Sequence, residues 1–236
     1  MTKALRLLIN SERHASFTSM QNHNMDLTKK VVIRTLELDW QPSPMPGVLR
    51  KPLERQQQES GHTTSLVKYA PESSFKSHIH PLGEEIYVLE GIFSDESGDY
   101  PKGSYLRNPP NSSHSPFSKE GCTLLVKLNQ FDSRDLETLR IKPSPNDWRD
   151  GHGNLKVLPL HQFETEGTAL VFWPKGEQFI PHRHMGGEEI FVISGVFQDE
   201  FAQYPKYTWI RSPHLSTHHP FVEEDTLIFV KTGHLK

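Results

Sequence analysis

Apolar residues along this chain fall in short runs separated by glycine, proline and small polar residues. LVKY (66–69) and LVFW (170–173) each fit a strand, as do CTLLVK (122–127) and TLIFVK (226–231). EIYVLEGIFSDE (85–96) has the pattern of a strand, a glycine turn and a second strand. KKVVIRTLEL (29–38) is a further strand near the start, while PSPMPG (42–47) and KPSPND (142–147) are proline-rich loops. The pattern predicts an all-β chain of many short strands, as in a sandwich, a small barrel or a jelly roll.

The pattern occurs twice. HIHPLGEEIYVLEGIFSDE (78–96) aligns without a gap on HRHMGGEEIFVISGVFQDE (182–200), with 11 of 19 positions identical. The same offset carries 100–117 onto 204–221 and 64–69 onto 168–173, so the chain is two homologous halves. The expected division is an N-terminal extension at 1–28, a first domain at 29–138 and a second at 139–236. The polar stretch SERHASFTSMQNHNM (11–25) in the extension reads as flexible. Met20 and Met25 precede the first strand, which leaves an internal translation start as an open reading for intact-mass measurement.

Composition narrows the classes. The 34% hydrophobic content, 18 prolines and 15 glycines suit a soluble β protein with polar loops. Charges of both signs are spread along the chain with a formal net of -3, unlike the basic footprint of a nucleic-acid binder. No run approaches a membrane span and no signal-peptide core is evident, so a cytoplasmic location is the expectation. Cys122 is the only cysteine, which rules out an intramolecular disulfide; its apolar run marks it as a buried hydrophobe.

The repeated residues also carry chemistry. Side chains at i and i+2 of a strand share a face, so His78 and His80 converge, as do His182 and His184. Glu84 and Glu188 follow after a turn, and His114 and His218 arrive thirty residues later. A lone His-x-His is more often a solvated polar pair than a metal site. Here, however, Arg183 stands for Ile79, Met185 for Pro81 and Gly186 for Leu82, while all eight candidate ligands persist. Three imidazoles and a carboxylate suit Zn, Fe, Mn, Co or Ni better than Ca or Mg. By strand alternation Glu85 and Glu189 point away from the metal. Arg107 and Arg211 would then pair with those glutamates or with Asp95 and Asp199. Tyr87 and Phe191 are candidates for lining the pockets, although core packing is the stronger reading.

With these residues in view, the sequence resembles the cupin superfamily, whose first motif has the form G-x5-H-x-H-x3,4-E-x6-G. His78, His80, Glu84 and Gly91 fit it, as do His182, His184, Glu188 and Gly195; His114 and His218 match the histidine of the second motif. More narrowly, GEEIYVLEGIFSDESGDYPKGSYLRNPPNSSHSP (83–116) is similar to the ChrR-type cupin domain. The resemblance implies a bicupin, two tandem jelly-roll or double-stranded β-helix barrels. It implies up to one divalent transition metal per domain, with Zn or Fe(II) ahead of Mn or Ni. In the second half Tyr207 replaces Gly103 and His214 replaces Pro110, which leaves the turn before His218 open. His219 reads as a surface residue.

ChrR-type anti-sigma factors carry a separate zinc helical domain with a His-x3-Cys-x2-Cys signature, which this sequence lacks, so a sigma factor is not an expected partner. The first reading is a metal-binding regulatory or sensory module answering to a small-molecule ligand. The alternative is an Fe(II)-dependent dioxygenase, since related cupins cleave β-diketones or hydroxyacetophenones. No acid or base beyond the ligands favours an enzyme. Sheet edges leave room for a homodimer.

Overall fold

The computed structural model describes residues 22–56 and 61–235. Its strands form two main sheets of matching order. The first runs from Gln41–Pro42 through Val48–Arg55, Thr63–Tyr69, Cys122–Leu128, Glu84–Asp95 and Tyr105–Asn108 to Leu139–Ile141. The second runs from Arg149–Asp150 through Lys156–Phe163, Glu166–Trp173, Thr226–Thr232, Glu188–Ser194 and Thr208–Ser212 to Val31–Arg34. Every pairing on these paths is antiparallel.

The last strand of each sheet comes from the other half of the sequence. Val31–Arg34 opens the first half yet pairs with Thr208–Ser212, Val31 facing Arg211 and Ile33 facing Trp209. Leu139–Ile141 opens the second half yet pairs with Tyr105–Asn108, Leu139 facing Arg107 and Ile141 facing Tyr105. The two lead strands are therefore exchanged. Each covers a sheet edge that would otherwise present unpaired backbone groups.

Strand alternation divides the core into three parts. Ile86 and Val88 point into the first barrel with Phe93, Leu106 and Leu124. Ile190 and Val192 point into the second with Trp173, Phe197 and Ile228. The intervening residues Tyr87, Leu89, Phe191 and Ile193 meet between the halves, with Tyr105, Trp209 and Phe229. Tyr87 and Phe191 thus line neither candidate pocket. They sit one residue out of phase with the site-facing row, and packing across the halves claims them.

Buried ion pairs cross the same interface. Lys231 of the second half donates to Glu85 of the first at 2.8 Å, and Lys127 of the first half is bonded to Glu189 of the second. Glu85 and Glu189 do point away from the metal candidates, but toward protein rather than solvent. Burial raises the Glu85 carboxyl, yet Lys231 and Arg107 outweigh it and hold the group well below its ordinary value.

Gly91 and Gly195 end the first segments of the site strands at φ of 71° and 76°. A Cβ on Gly91 would stand 2.0 Å from the Gly121 carbonyl oxygen, and one on Gly195 2.4 Å from that of Asp225. Close backbone approach beside a bulge therefore demands glycine here, between Thr123 and Leu124 in one half and near Val192 and Ser194 in the other. Within the expected extension, residues 22–28 are tied down. His23 forms a backbone bridge with Arg55, the Asn24 amide donates to the Leu53 carbonyl at 2.7 Å, and Arg211 donates to the carbonyls of Asn24 and Asp26. The rest of that extension, 1–21, lies outside the described residues.

Candidate metal centres

Two short strands assemble each centre. His78–His80 pairs with Ser112–His114, placing His114 opposite His78; His182–Arg183 pairs with Thr217–His218, placing His182 opposite His218. Glu84 and Glu188 begin the next long strands and turn back toward the imidazoles. The structure brings His78, His80, Glu84 and His114 together, and separately His182, His184, Glu188 and His218. Within each set the ligand atoms lie within 4.8 Å of one another. His219 belongs to neither set, and its backbone N–H donates to Glu200.

The local bonds prepare these side chains for a cation. Nδ1 of His78 lies 2.8 Å from the Lys76 carbonyl, and Nδ1 of His182 lies 3.0 Å from that of Ile180. A carbonyl can only accept, so each Nδ1 holds the proton and leaves Nε2 as a lone pair for the centre. Nε2 of His80 and His114 lie 3.4 and 3.2 Å from Glu84 Oε2; Nε2 of His184 and His218 lie 3.5 and 3.6 Å from Glu188 Oε2. All four of those nitrogens are buried without a hydrogen-bond partner, as is Glu188 Oε2. An unsatisfied buried polar atom costs roughly 1–3 kcal/mol. One cation at each centre would satisfy them together, so the residues fit a metal.

The two centres are not equivalent. Burial pushes the His184 imidazole down to about 3 and the Glu188 carboxyl up to about 7. Burial would raise Glu84 too, but His80, His114 and a hydrogen bond from Asn108 outweigh it and leave its pKa lowered. That bond runs from Asn108 Nδ2 to Glu84 Oε2 at 2.8 Å. Ser212 faces Glu188 where Asn108 faces Glu84 in the strand register.

Several residues behind the ligands have roles that the sequence reading did not assign. Asp95 Oδ2 lies 3.6 Å from His114 Nδ1, and Asp199 Oδ2 lies 3.6 Å from His218 Nδ1. The phenol of Tyr100 reaches Asp95, and that of Tyr204 reaches Asp199. The expected pairing of Arg107 and Arg211 is met only in part. Arg107 lies 3.4 Å from Glu85 and also binds Asp135, whereas Arg211 binds Glu54. Glu189 is taken instead by the Trp209 indole and Lys127, because the two halves face each other there. The duplicated positions of Asp95 and Asp199, and of Tyr100 and Tyr204, were the available signal. Tyr207 keeps the left-handed turn of Gly103, at φ of 64°, and His214 accepts a hydrogen bond from the Gly186 backbone.

Each centre opens on a cavity inside its barrel. The first, ≈ 100 Å³, is lined by His78, Glu84, Tyr69, Phe75 and Arg50 among others. The second, ≈ 320 Å³, is lined by His182, Glu188 and His218 with Trp173, Phe179 and Val230. Its remaining walls are largely aliphatic and aromatic.

Solved structures share this fold at low identity. A candidate dioxygenase from Nostoc punctiforme aligns with a TM-score of 0.69 at 18% identity, over 86% of this chain and 82% of that one. The E. coli protein YlbA gives a TM-score of 0.66 at 13% identity, over 92% and 94%. An oxalate decarboxylase from Lactobacillus farciminis gives 0.61 at 14% identity, over 87% and 86%. A search of curated proteins gave no significant match. The sequence profile of the ChrR Cupin-like domain matches twice, over residues 28–132 and 137–236, and the chain belongs to that family.

Proposed function

We propose that the chain binds one divalent transition-metal ion in each half and that the second-half ion faces a small-molecule ligand, making the chain a regulatory or sensory module. The observation that carries this reading is the set of buried, partnerless nitrogens on His80, His114, His184 and His218, each close to a carboxylate oxygen. Zinc or Fe(II) suits three imidazoles and a carboxylate, with Mn or Ni behind them. The cavity of ≈ 320 Å³ beside the second centre supplies room and an apolar wall for a ligand.

That cavity also favours a second reading, an Fe(II)-dependent dioxygenase acting on a β-diketone-like or hydroxyacetophenone-like substrate. The fold likeness to the candidate dioxygenase from Nostoc punctiforme agrees with it. Bound iron would supply O2 chemistry; the chain's own residues would orient the substrate through the aromatic and aliphatic wall and exclude water.

Metal analysis of the purified protein, followed by O2 uptake on a 1,3-diketone panel after Fe(II) loading, separates the readings. The module predicts two metal equivalents, falling to one in His80→Ala or His184→Ala, and no O2 uptake. Substrate-dependent O2 uptake abolished by His184→Ala would establish the enzyme instead. Metal content unmoved by either substitution would overturn both.

A further inference from the structure

Each metal centre is backed by a cation that belongs, in sequence, to the other half. Arg140 lies in Leu139–Ile141, the lead strand of the second half, which is paired to the first sheet. Its guanidinium lies 3.7 Å from Asp95 Oδ2 and donates to Asn108 Oδ1 at 2.6 Å and to the Tyr100 hydroxyl at 3.1 Å. Asp95 stands behind His114, and Asn108 donates to Glu84. Arg140 therefore supports two of the four ligands. By occupying Oδ1 of Asn108 it also fixes which end of that amide is presented to Glu84, since an amide that accepts at oxygen turns its NH2 the other way.

The second centre has a counterpart from the first half. Lys30, beside the lead strand Val31–Arg34, donates to Asp199 Oδ2 at 3.2 Å and to the Tyr204 hydroxyl at 2.9 Å. Asp199 stands behind His218 as Asp95 stands behind His114. The strand registers make Arg140 the counterpart of Val32, because Leu106 and Ile210 are equivalent partners. Lys30 is two residues earlier, on the same face of an extended chain. The two halves thus deliver a cation to the same tyrosine–aspartate pair from different positions on one strand face. Asp95 and Asp199 have side chains 0% and 1% exposed, so each carboxylate depends on protein partners rather than solvent.

We propose that Arg140 and Lys30 are positioning residues acting across the halves: Arg140 holds the first-half metal centre in binding geometry, and Lys30 the second. This rests on the metal-binding reading above. Partners behind a ligand typically change metal affinity by about 10–100-fold when removed. Arg140 touches the supports of two ligands and Lys30 those of one, so Arg140 has the larger effect.

The test uses the full chain with one centre silenced at a time, and Co(II) affinity measured by d–d absorption in competition with a chelator. In the His184→Ala chain, which retains the first centre, Arg140→Met weakens Co(II) binding by about 10–100-fold and Lys30→Met leaves it unchanged. In the His80→Ala chain the pattern reverses, and Lys30→Arg restores affinity lost in Lys30→Met. Should Arg140→Met fail to fold, Arg140→Lys replaces it, with a smaller loss confined to the first centre. Arg140→Met added to Asp95→Asn brings a further loss smaller than that of Arg140→Met alone, because Asp95→Asn already cuts the branch to His114 and leaves the one through Asn108 to Glu84. Unchanged affinity at the near centre, or equal loss at both, overturns the proposal while leaving metal binding intact. A parent chain that binds no Co(II) at either centre overturns the proposal and the metal reading together.

Discussion

At the scale of single residues, the two halves solve one turn with different side chains. Gly103 adopts φ of 90° freely, whereas Tyr207 holds φ of 64° at a cost of roughly 1–2 kcal/mol. Tyr207 offsets that cost by packing between the halves and donating to Glu90 at 2.8 Å. Burial of the ring contributes about 2–3 kcal/mol and the hydrogen bond about 1. Tyr207→Gly is therefore expected to destabilise by about 1–3 kcal/mol despite relieving the backbone, as urea unfolding would measure. A stabilised variant would mean that the ring contributes little to the interface. The metal candidates are the residues most legible in the sequence, since the duplication repeats all eight of them. The groups behind them were less legible. Asp95 and Asp199 recur at the same offset, but an acidic residue at a strand end reads equally well as a surface charge. Arg140 and Lys30 occupy different repeat positions, so comparing the halves could not single them out.

At the scale of elements, the strands were readable but their partners were not. Apolar runs and glycine turns locate LVKY, EIYVLEG and CTLLVK, and the structure has strands there. Nothing in the local pattern of VVIR says that it pairs with Thr208–Ser212 rather than a neighbour in its own half. Alternation also put Glu85 and Glu189 on the far face, where the sequence offered no view of a second sheet packed against them. Lys127 is 1% exposed in its pairing with Glu189, and breaking such a pair strands a buried charge at about 3–5 kcal/mol. Lys127→Met is expected to lower stability by that order, and Lys127→Met with Glu189→Leu to recover part of it. Chemical denaturation of the single and double variants decides the point; a double variant less stable than either single would reverse the argument.

At the scale of the whole molecule, charge exchange ties stability to pH. Burial works against ionised Glu85, but Lys231 and Arg107 prevail and hold its pKa below the ordinary 4.5. A carboxyl depressed on folding contributes stability that is fully present above its unfolded pKa and is lost as pH falls through the folded one. Glu189 is held low as well: burial opposes its ionisation, and Lys127 and His234 outweigh it. The urea midpoint should therefore fall as pH drops below about 4.5, and fall less steeply in Glu85→Gln with Lys231→Met. An equal acid slope in the variant would show that these pairs do not govern the loss.

The exchanged lead strands also set a timetable for synthesis. Val31–Arg34 leaves the ribosome among the first strands, yet its partner Thr208–Ser212 is among the last. Leu139–Ile141 follows the first barrel directly and can cover its edge at Tyr105–Asn108 early, whereas the lead strand Val31–Arg34 waits with no sheet to join until the second sheet is made. On a crowded polysome the nearest available edge belongs to a neighbouring nascent chain, and long-range pairing of this kind closes slowly. The arrangement that stitches the finished halves together is, during translation, an open invitation to swap strands between molecules.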